Sequence, residues 1–187
     1  MTNIYLVRHA HSTYSSDERT RPLSEKGKKD AQLMTQVMKS ESIDVVLSSP
    51  YKRAVQTVEG IANYFQLHIE TVEDFKERRL ADFPLEDFDE AVLKVWQDET
   101  YAHNGGESNI VAKARGINAL NDILVKYKNK NIVVGTHGNI MALIMNHFSK
   151  NYDYTFWSNL DMPDIYKLSF EEHSLIDIQR VRRESND

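Results

Sequence analysis

A chain of 187 residues is long enough to bury a real core and short enough to form one domain, and its 41% apolar and 27% charged content is that of a globular protein rather than a disordered one. The formal net charge of −5 speaks against a broad nucleic-acid-binding face but leaves room for an anionic ligand, because a few arginines converging in one cleft attract it against the global sign. The absence of cysteine excludes disulfides, thiolate catalysis and cysteine-ligated zinc.

The opening stretch, MTNIYLVRHAHST, lacks the basic and long apolar regions of a secretion signal, and no run reaches transmembrane length, so a cytoplasmic protein with no membrane partner is expected. IYLV (4–7) is the first short β-rich run. Ala31, Met34, Val37 and Met38 then share one face of a helix. VVL (45–47) reads as a second strand, followed by a helix with Ala54, Val58, Ile61, Ala62 and Phe65 on one face. The acid-rich stretch 83–104, with Trp96 and Tyr101, is expected as a helical excursion over one edge of a sheet. Ile110, Ala114, Ile117, Leu120 and Leu124 predict a further helix starting near Ser108, a residue suited to N-capping. IVV (132–134) is a third strand, and IMALIMNHF (140–148) reads as a helix buried all round. Finally, IYKLSF (165–170) and LIDIQ (175–179) flank EEHS as a terminal hairpin.

The three early strands lack the alternation of a half-exposed strand, which suits a parallel sheet covered on both faces. Alternating strands and helices therefore predict an α/β fold, a three-layer α/β/α sandwich with a mostly parallel central sheet. No repeat or long linker divides the chain, so a single domain over 1–187 is expected. No pattern speaks to oligomeric state.

Ligand sites of open α/β sheets lie outside the carboxyl ends of the strands. The first run leads into Arg8-His9-Ala10, the second into SSPYKRAVQT with Arg53 one turn into a helix, and the third into Thr136-His137-Gly138. A lone histidine at a strand end is usually a structural residue, and a lone arginine in a helix's first turn sits poorly with the dipole unless an anion reverses the local field. Two arginines and two histidines at equivalent strand ends are a stronger signal, and phosphate fits them: guanidinium forks bind its oxygens in pairs, and helix N-termini supply free N–H groups. Metal binding fits less well, because only the local His9/His11 pair has ligand spacing and the adjacent arginines repel a cation. A serine nucleophile lacks its GxSxG elbow.

LVRHAHST (6–13), SSPYKRAVQT (48–57), GGES (105–108) and THGN (136–139), in this order, resemble the histidine phosphatase superfamily, also called the phosphoglycerate mutase-like family. PLSEKGKKDAQ (22–32) resembles the segment that opens its first long helix. The resemblance implies that His9 is the nucleophile and that Arg8, Arg53 and His137 complete a phosphate pocket, with His137 stabilising the transition state. It implies no cofactor and no metal. A glutamate from a middle segment serves as proton donor and acceptor; DFKERRLADF (74–83) places Glu77 there, with Ala81 where glycine is common. Ala10, His11 and Ser15 stand where the family often has glycine, glutamate and an asparagine that touches phosphate, so by position Ser15 is a further phosphate-binding candidate. Arg19, Arg21, Arg78 and Arg79 lie in segments that could border the cleft and bind a second phosphate or carboxylate, with a solvated surface charge as the alternative for each, and His11 is expected at the rim.

The residues agree chemically with this assignment. A neutral imidazole can attack phosphorus and form a covalent phosphohistidine, dividing hydrolysis into two easier steps. Phosphoryl transfer asks a protein mainly for positioning and for charge on the equatorial oxygens. The short middle region favours a phosphatase acting on a small phosphorylated substrate, by analogy with the fold. A phosphoglycerate-type mutase and a non-catalytic binder of a phosphorylated ligand stay open beside it.

Overall fold

A computed structural model describes residues 1–182 and has one six-stranded sheet at its centre. In chain order the strands are β1 (Thr2–Arg8), β2 (Val45–Ser48), β3 (Ile69–Thr71), β4 (Asn131–Thr136), β5 (Asp164–Glu171) and β6 (Ser174–Arg180). Their spatial order is β3-β2-β4-β1-β5-β6; the first four are parallel, and β5 and β6 are antiparallel. The helices are α1 (Glu25–Met38), α2 (Lys52–Phe65), α3 (Phe88–Gln97), α4 (Asn109–Lys126), α5 (Gly138–Phe148) and the short α6 (Tyr154–Ser158).

Successive side chains of a strand point to opposite faces, and the central strands are apolar on both. Ile4 and Leu6 of β1 pack with Ile132 and Val134 of β4 against α4 and α5. Their neighbours Tyr5, Val7 and Val133 pack on the other face against Met38, Val58, Ile61 and Ala62 of α1 and α2. The result is a three-layer α/β/α sandwich. β6 carries mostly exposed or half-exposed residues, as an antiparallel edge strand does.

Local chemistry starts the helices where the sequence places them. Ser24 accepts from the Gly27 amide at α1, Ser108 from the Val111 amide at α4, and Asp87 from the Glu90 amide at α3. Gly27 has a further role. A Cβ there would lie 2.0 Å from the His11 carbonyl oxygen, so only glycine lets the loop after β1 cross the first turn of α1.

One strand was not anticipated, and two expectations need correcting. β3 has no apolar run to announce it; IET pairs with β2 at the sheet edge through its backbone. In 83–104 only Phe88–Gln97 is helical. Its residues Ala91, Val92 and Val95 pack with Tyr154 and Trp157 of α6, and Trp96 donates to Asn139 of α5, so the excursion covers helices rather than an edge of the sheet. On α4 the inward face is rotated from the expected one: Ile110 is 50% exposed and Ala114 is also exposed, while Asn109, Ala112, Lys113, Gly116, Ala119 and Ile123 are buried beside Leu120 and Leu124. Periodicity of apolar residues missed this face because two of its members are polar and one is glycine. Lys113 reaches Asn146 at 2.7 Å, Asn109 pairs with Arg78, and Gly116 lets α4 approach Ile144 closely.

The rotated face makes opposite demands on two leucine-sized side chains. Leu120→Ala is expected to cost about 3 kcal/mol of unfolding free energy, within the usual range for a buried leucine. Ile110→Ala should stay within about 0.5 kcal/mol, as for surface positions. Urea unfolding of both variants checks this, and the reverse order would contradict the packing of α4.

Candidate active site

The parallel ladder sets the site. Arg8 pairs in register with Thr136, and Ser48 with Gly135, so β1, β4 and β2 end level with one another. Two more bonds carry the ladder one residue further: the His9 amide donates to Thr136 O at 2.9 Å and the Ser49 amide to Gly135 O at 2.8 Å. His9, Ser49 and His137 therefore leave the sheet side by side, at the carboxyl ends of its central strands.

The His9 ring is held at both nitrogens. Nδ1 lies 2.7 Å from the Ala10 carbonyl oxygen, which can only accept, so Nδ1 carries the proton. Nε2 receives the Arg53 Nε–H at 3.3 Å, which requires a lone pair there. Both contacts define one neutral tautomer with Nε2 as the bare nitrogen. Burial, followed by the charges of Arg53, Arg8 and Arg21, pushes the imidazolium pKa from 6.5 to about 3, against the opposing bond to Ala10.

His137 is fully buried, its ring 5.2 Å from that of His9 at an interplanar angle of 66°, with Tyr51 on another side at 5.1 Å. Its Nε2 is 2.8 Å from Ser49 Oγ, which in turn accepts from the Tyr51 amide. Burial first, then His9 and the nearby arginines, hold His137 well below the ordinary histidine range, so it too is neutral.

Arg53, only 4% exposed, stands in the first turn of α2 with its guanidinium over the Tyr51 ring. Thr57, one turn on, donates to Arg53 O at 2.7 Å and accepts from the Ala10 amide at 3.0 Å, tying the loop of His9 to α2. Arg8 donates through one terminal nitrogen to Leu160 O and Asp161 O. A Cβ on Gly138 would lie 2.9 Å from Arg8 Nε, so glycine at the start of α5 makes room for this guanidinium.

Glu77 reaches the same rim. Its carboxylate accepts from the amides of Asn139 at 3.0 Å and Ile140 at 2.9 Å, capping the N-terminus of α5, and from the Arg78 amide at 2.8 Å. The segment that carries it is clamped from behind. Arg115 donates to Asp74 O and Lys76 O while paired with Glu107, and Glu107 accepts from the Arg79 amide. Thus GGES contributes to the site indirectly, through the salt bridge of its glutamate.

Arg8, His9, Arg53, Glu77 and His137 are brought together, and Arg21 joins them closely enough for its charge to act on both His9 and Arg53. The other candidates are engaged elsewhere. Ser15 Oγ accepts from the Asp17 amide, and Ser15 meets the cluster through its carbonyl oxygen, which accepts from Arg21 at 3.0 Å. Arg19 pairs with Glu73 at the exposed rim, Arg78 is buried against Asn109, Arg79 is exposed, and His11 bonds to Ser24 beside α1. Ser49 and Thr57 were missed although both lie inside SSPYKRAVQT; a small polar residue within such a segment was the available signal.

Among the described residues, five buried side-chain polar atoms lack a hydrogen-bond partner, and three of them, Arg8 Nε, Arg21 Nε and His137 Nδ1, belong to this cluster. Such atoms are rare in folded proteins, and among the described residues they concentrate at this cluster. No group of three or more His, Asp or Glu converges as a metal-binding set among the described residues.

The neutral His9 has a consequence for stability. Its folded pKa is lowered, so between about 3 and 6.5 the unfolded chain binds the extra proton, and stability rises with pH through that window and is lost on acidification. Lowering the pH from about 7 to about 4 should therefore cost the natural protein on the order of 3 kcal/mol more than His9→Ala. Urea titrations at both pH values test this, and equal losses in the two proteins would contradict it.

The model of the histidine phosphatase superfamily (branch 1) matches residues 4–181. An uncharacterized phosphatase, PhoE, of Bacillus subtilis is 28% identical over 157 residues, covering 80% of this chain and 78% of its own. Phosphoserine phosphatase 1 of Hydrogenobacter thermophilus is 30% identical over 156 residues, covering 73% and 71%. Among solved structures, a mycobacterial glucosyl-3-phosphoglycerate phosphatase superposes with a TM-score of 0.76 over 95% of this chain and 96% of its own, at 20% identity, a likeness of fold. The strand-end histidines and arginines thus sit on a shared architecture, and the chain belongs to the histidine phosphatase superfamily.

Proposed function

We propose that this protein is a metal-independent phosphomonoesterase that hydrolyses a small phosphorylated substrate through a covalent phosphohistidine on His9. The observation that carries the reading is the state of His9. Its bare Nε2 stands beside Arg53, and its other nitrogen is fixed by Ala10.

In the first step Nε2 attacks phosphorus in line; the N–P bond forms as the bond to the leaving oxygen breaks. Glu77 delivers a proton to that oxygen. Water then attacks the phosphohistidine, Glu77 takes the proton it loses, and the N–P bond breaks to release phosphate and restore neutral His9. Arg8, Arg53 and His137 hold the equatorial oxygens, where negative charge gathers. Arg8 is fastened by the Leu160 and Asp161 carbonyls and the backbone of Arg53 by Thr57, so both side chains start from fixed positions. Ser15 is not required in this reading, since its hydroxyl already serves the turn at Asp17.

His9→Ala is expected to abolish EDTA-resistant hydrolysis of an aryl phosphate, together with the acid-labile protein-bound phosphate trapped by rapid quench. Substantial turnover in that variant would overturn the mechanism. Arg53→Ala should lower kcat/KM by a factor of about 100 to 1,000, the usual loss for one preorganised donor. A parallel isomer assay on a sugar-acid phosphate should show phosphate release outpacing internal transfer.

Glu77→Gln separates proton transfer from helix capping, since the amide can still accept from an α5 amide. An alkyl phosphate, whose leaving oxygen needs a proton, should slow by a factor of about 100 or more, and a nitrophenyl phosphate far less. Equal losses on both would remove Glu77 from the proton-transfer role.

A further inference from the structure

Arg53 is fully engaged by more than His9. One terminal nitrogen donates to the Glu18 carbonyl at 2.6 Å, and the other to Glu18 Oε2 at 2.9 Å. The second oxygen of the same carboxylate, Oε1, accepts from Arg21 at 2.6 Å. A single carboxylate therefore bridges two guanidinium groups at the mouth of the site. Arg21 has a buried Nε with no partner, and its other contacts are Ser15 O at 3.0 Å and the Tyr14 ring.

The position of Glu18 is built, not incidental. Asp17 accepts from the amides of Arg19 and Thr20 and forms a tight turn around it. Arg19 O accepts from the Lys52 amide at 2.8 Å, and the Arg19 guanidinium pairs with Glu73, so the loop is fastened to the start of α2 on one side and to the segment after β3 on the other. Yet the Glu18 side chain is 53% exposed, whereas that of Arg53 is 4% exposed and that of Arg21 19%. The carboxylate approaches from solvent and can leave without opening the core.

Carboxylate and phosphate present guanidinium with the same kind of acceptor, two oxygens at fork spacing. Arg8, Arg21 and Arg53 together place three positive charges around neutral His9, a concentration that calls for an anion whether or not substrate is bound. Resting on the phosphatase reading, we propose that Glu18 is a built-in competitor of phosphate: in the free protein its carboxylate occupies donors of Arg53 and Arg21 that phosphate oxygens take in the complex. Arg21 is then a third phosphate-binding arginine, and Glu18 is the residue that limits retention of product phosphate. The loop stays fastened during the exchange; only the half-exposed carboxylate swings away.

The test is calorimetric titration of inorganic phosphate into the natural protein, Glu18→Gln, Arg21→Gln and the double variant, with thermal melts confirming that each is folded. Glu18→Gln should lower the phosphate Kd about tenfold, equivalent to about 1.4 kcal/mol. Arg21→Gln in the Glu18→Gln background should raise it again by about tenfold or more. Unchanged or weaker binding by Glu18→Gln overturns the proposal. Arg21→Gln binding phosphate as tightly as Glu18→Gln, with no further change in the double variant, overturns the place of Arg21 by making it only an anchor for Glu18. Because the readout is binding, the two readings fail separately. Tighter phosphate binding without hydrolysis of any phosphomonoester would sink the phosphatase reading alone, and normal turnover with unchanged phosphate affinity would sink this one alone.

Discussion

The parallel pairing of β1 with β4 is the constraint on which the rest depends. Its register sets Arg8 against Thr136, and the His9 amide continues the ladder onto the Thr136 carbonyl. A one-residue slip would turn every side chain of β1 to the other face, exchanging Ile4 and Leu6 with Tyr5 and Val7 and carrying His9 away from His137. The two hydrophobic layers that enforce this register thus also fix the geometry of the histidine pair. Packing energy distributed over the sheet is converted into positional accuracy at its rim.

That rim is electrostatically demanding. Arginines and histidines are gathered where burial opposes charge, and the histidines respond by remaining neutral while the arginines recruit carbonyls and carboxylates. Each guanidinium is anchored from one side: Arg8 by Leu160 and Asp161, Arg53 by Thr57 through its backbone and by Glu18. Glu77 compensates another charge, the positive end of α5, with the same carboxylate that is assigned to proton transfer. Holding such groups together costs stability in the free protein, a cost that the proposed phosphate ligand would relieve. This is the balance expected of a preorganised site rather than of a region selected for stability alone.

Much of this was legible before the structure. Strands that are apolar on both faces could belong only to a covered sheet, and motifs at their ends named Arg8, His9, Arg53 and His137 together. Glu77 was legible from its segment, although the reason it reaches the rim was not: the amides of α5 that draw its carboxylate are more than sixty positions away in the chain. The face of α4 was misjudged because apolar periodicity does not register a lysine or asparagine that finds a buried partner, or a glycine that admits a neighbouring helix. Arg21 read as either a cleft residue or a surface charge, and Glu18 gave no signal, for the same reason. A charge on an irregular loop has no period, and only its partners distinguish it.

The amino-acid sequence by itself determined the sandwich, the family and the residues proposed to do the chemistry, because these follow from local hydrophobic pattern and from short motifs whose spacing survives in one dimension. The tertiary structure alone decided the tautomer of His9, the second helix-capping duty of Glu77, the support given to Arg115 by Glu107 and the placing of Glu18 across two arginines. Those are pairings between segments distant in the chain. Hydrogen bonds and ion pairs act over a few ångströms of space, and sequence order does not record which segments the fold will bring that close.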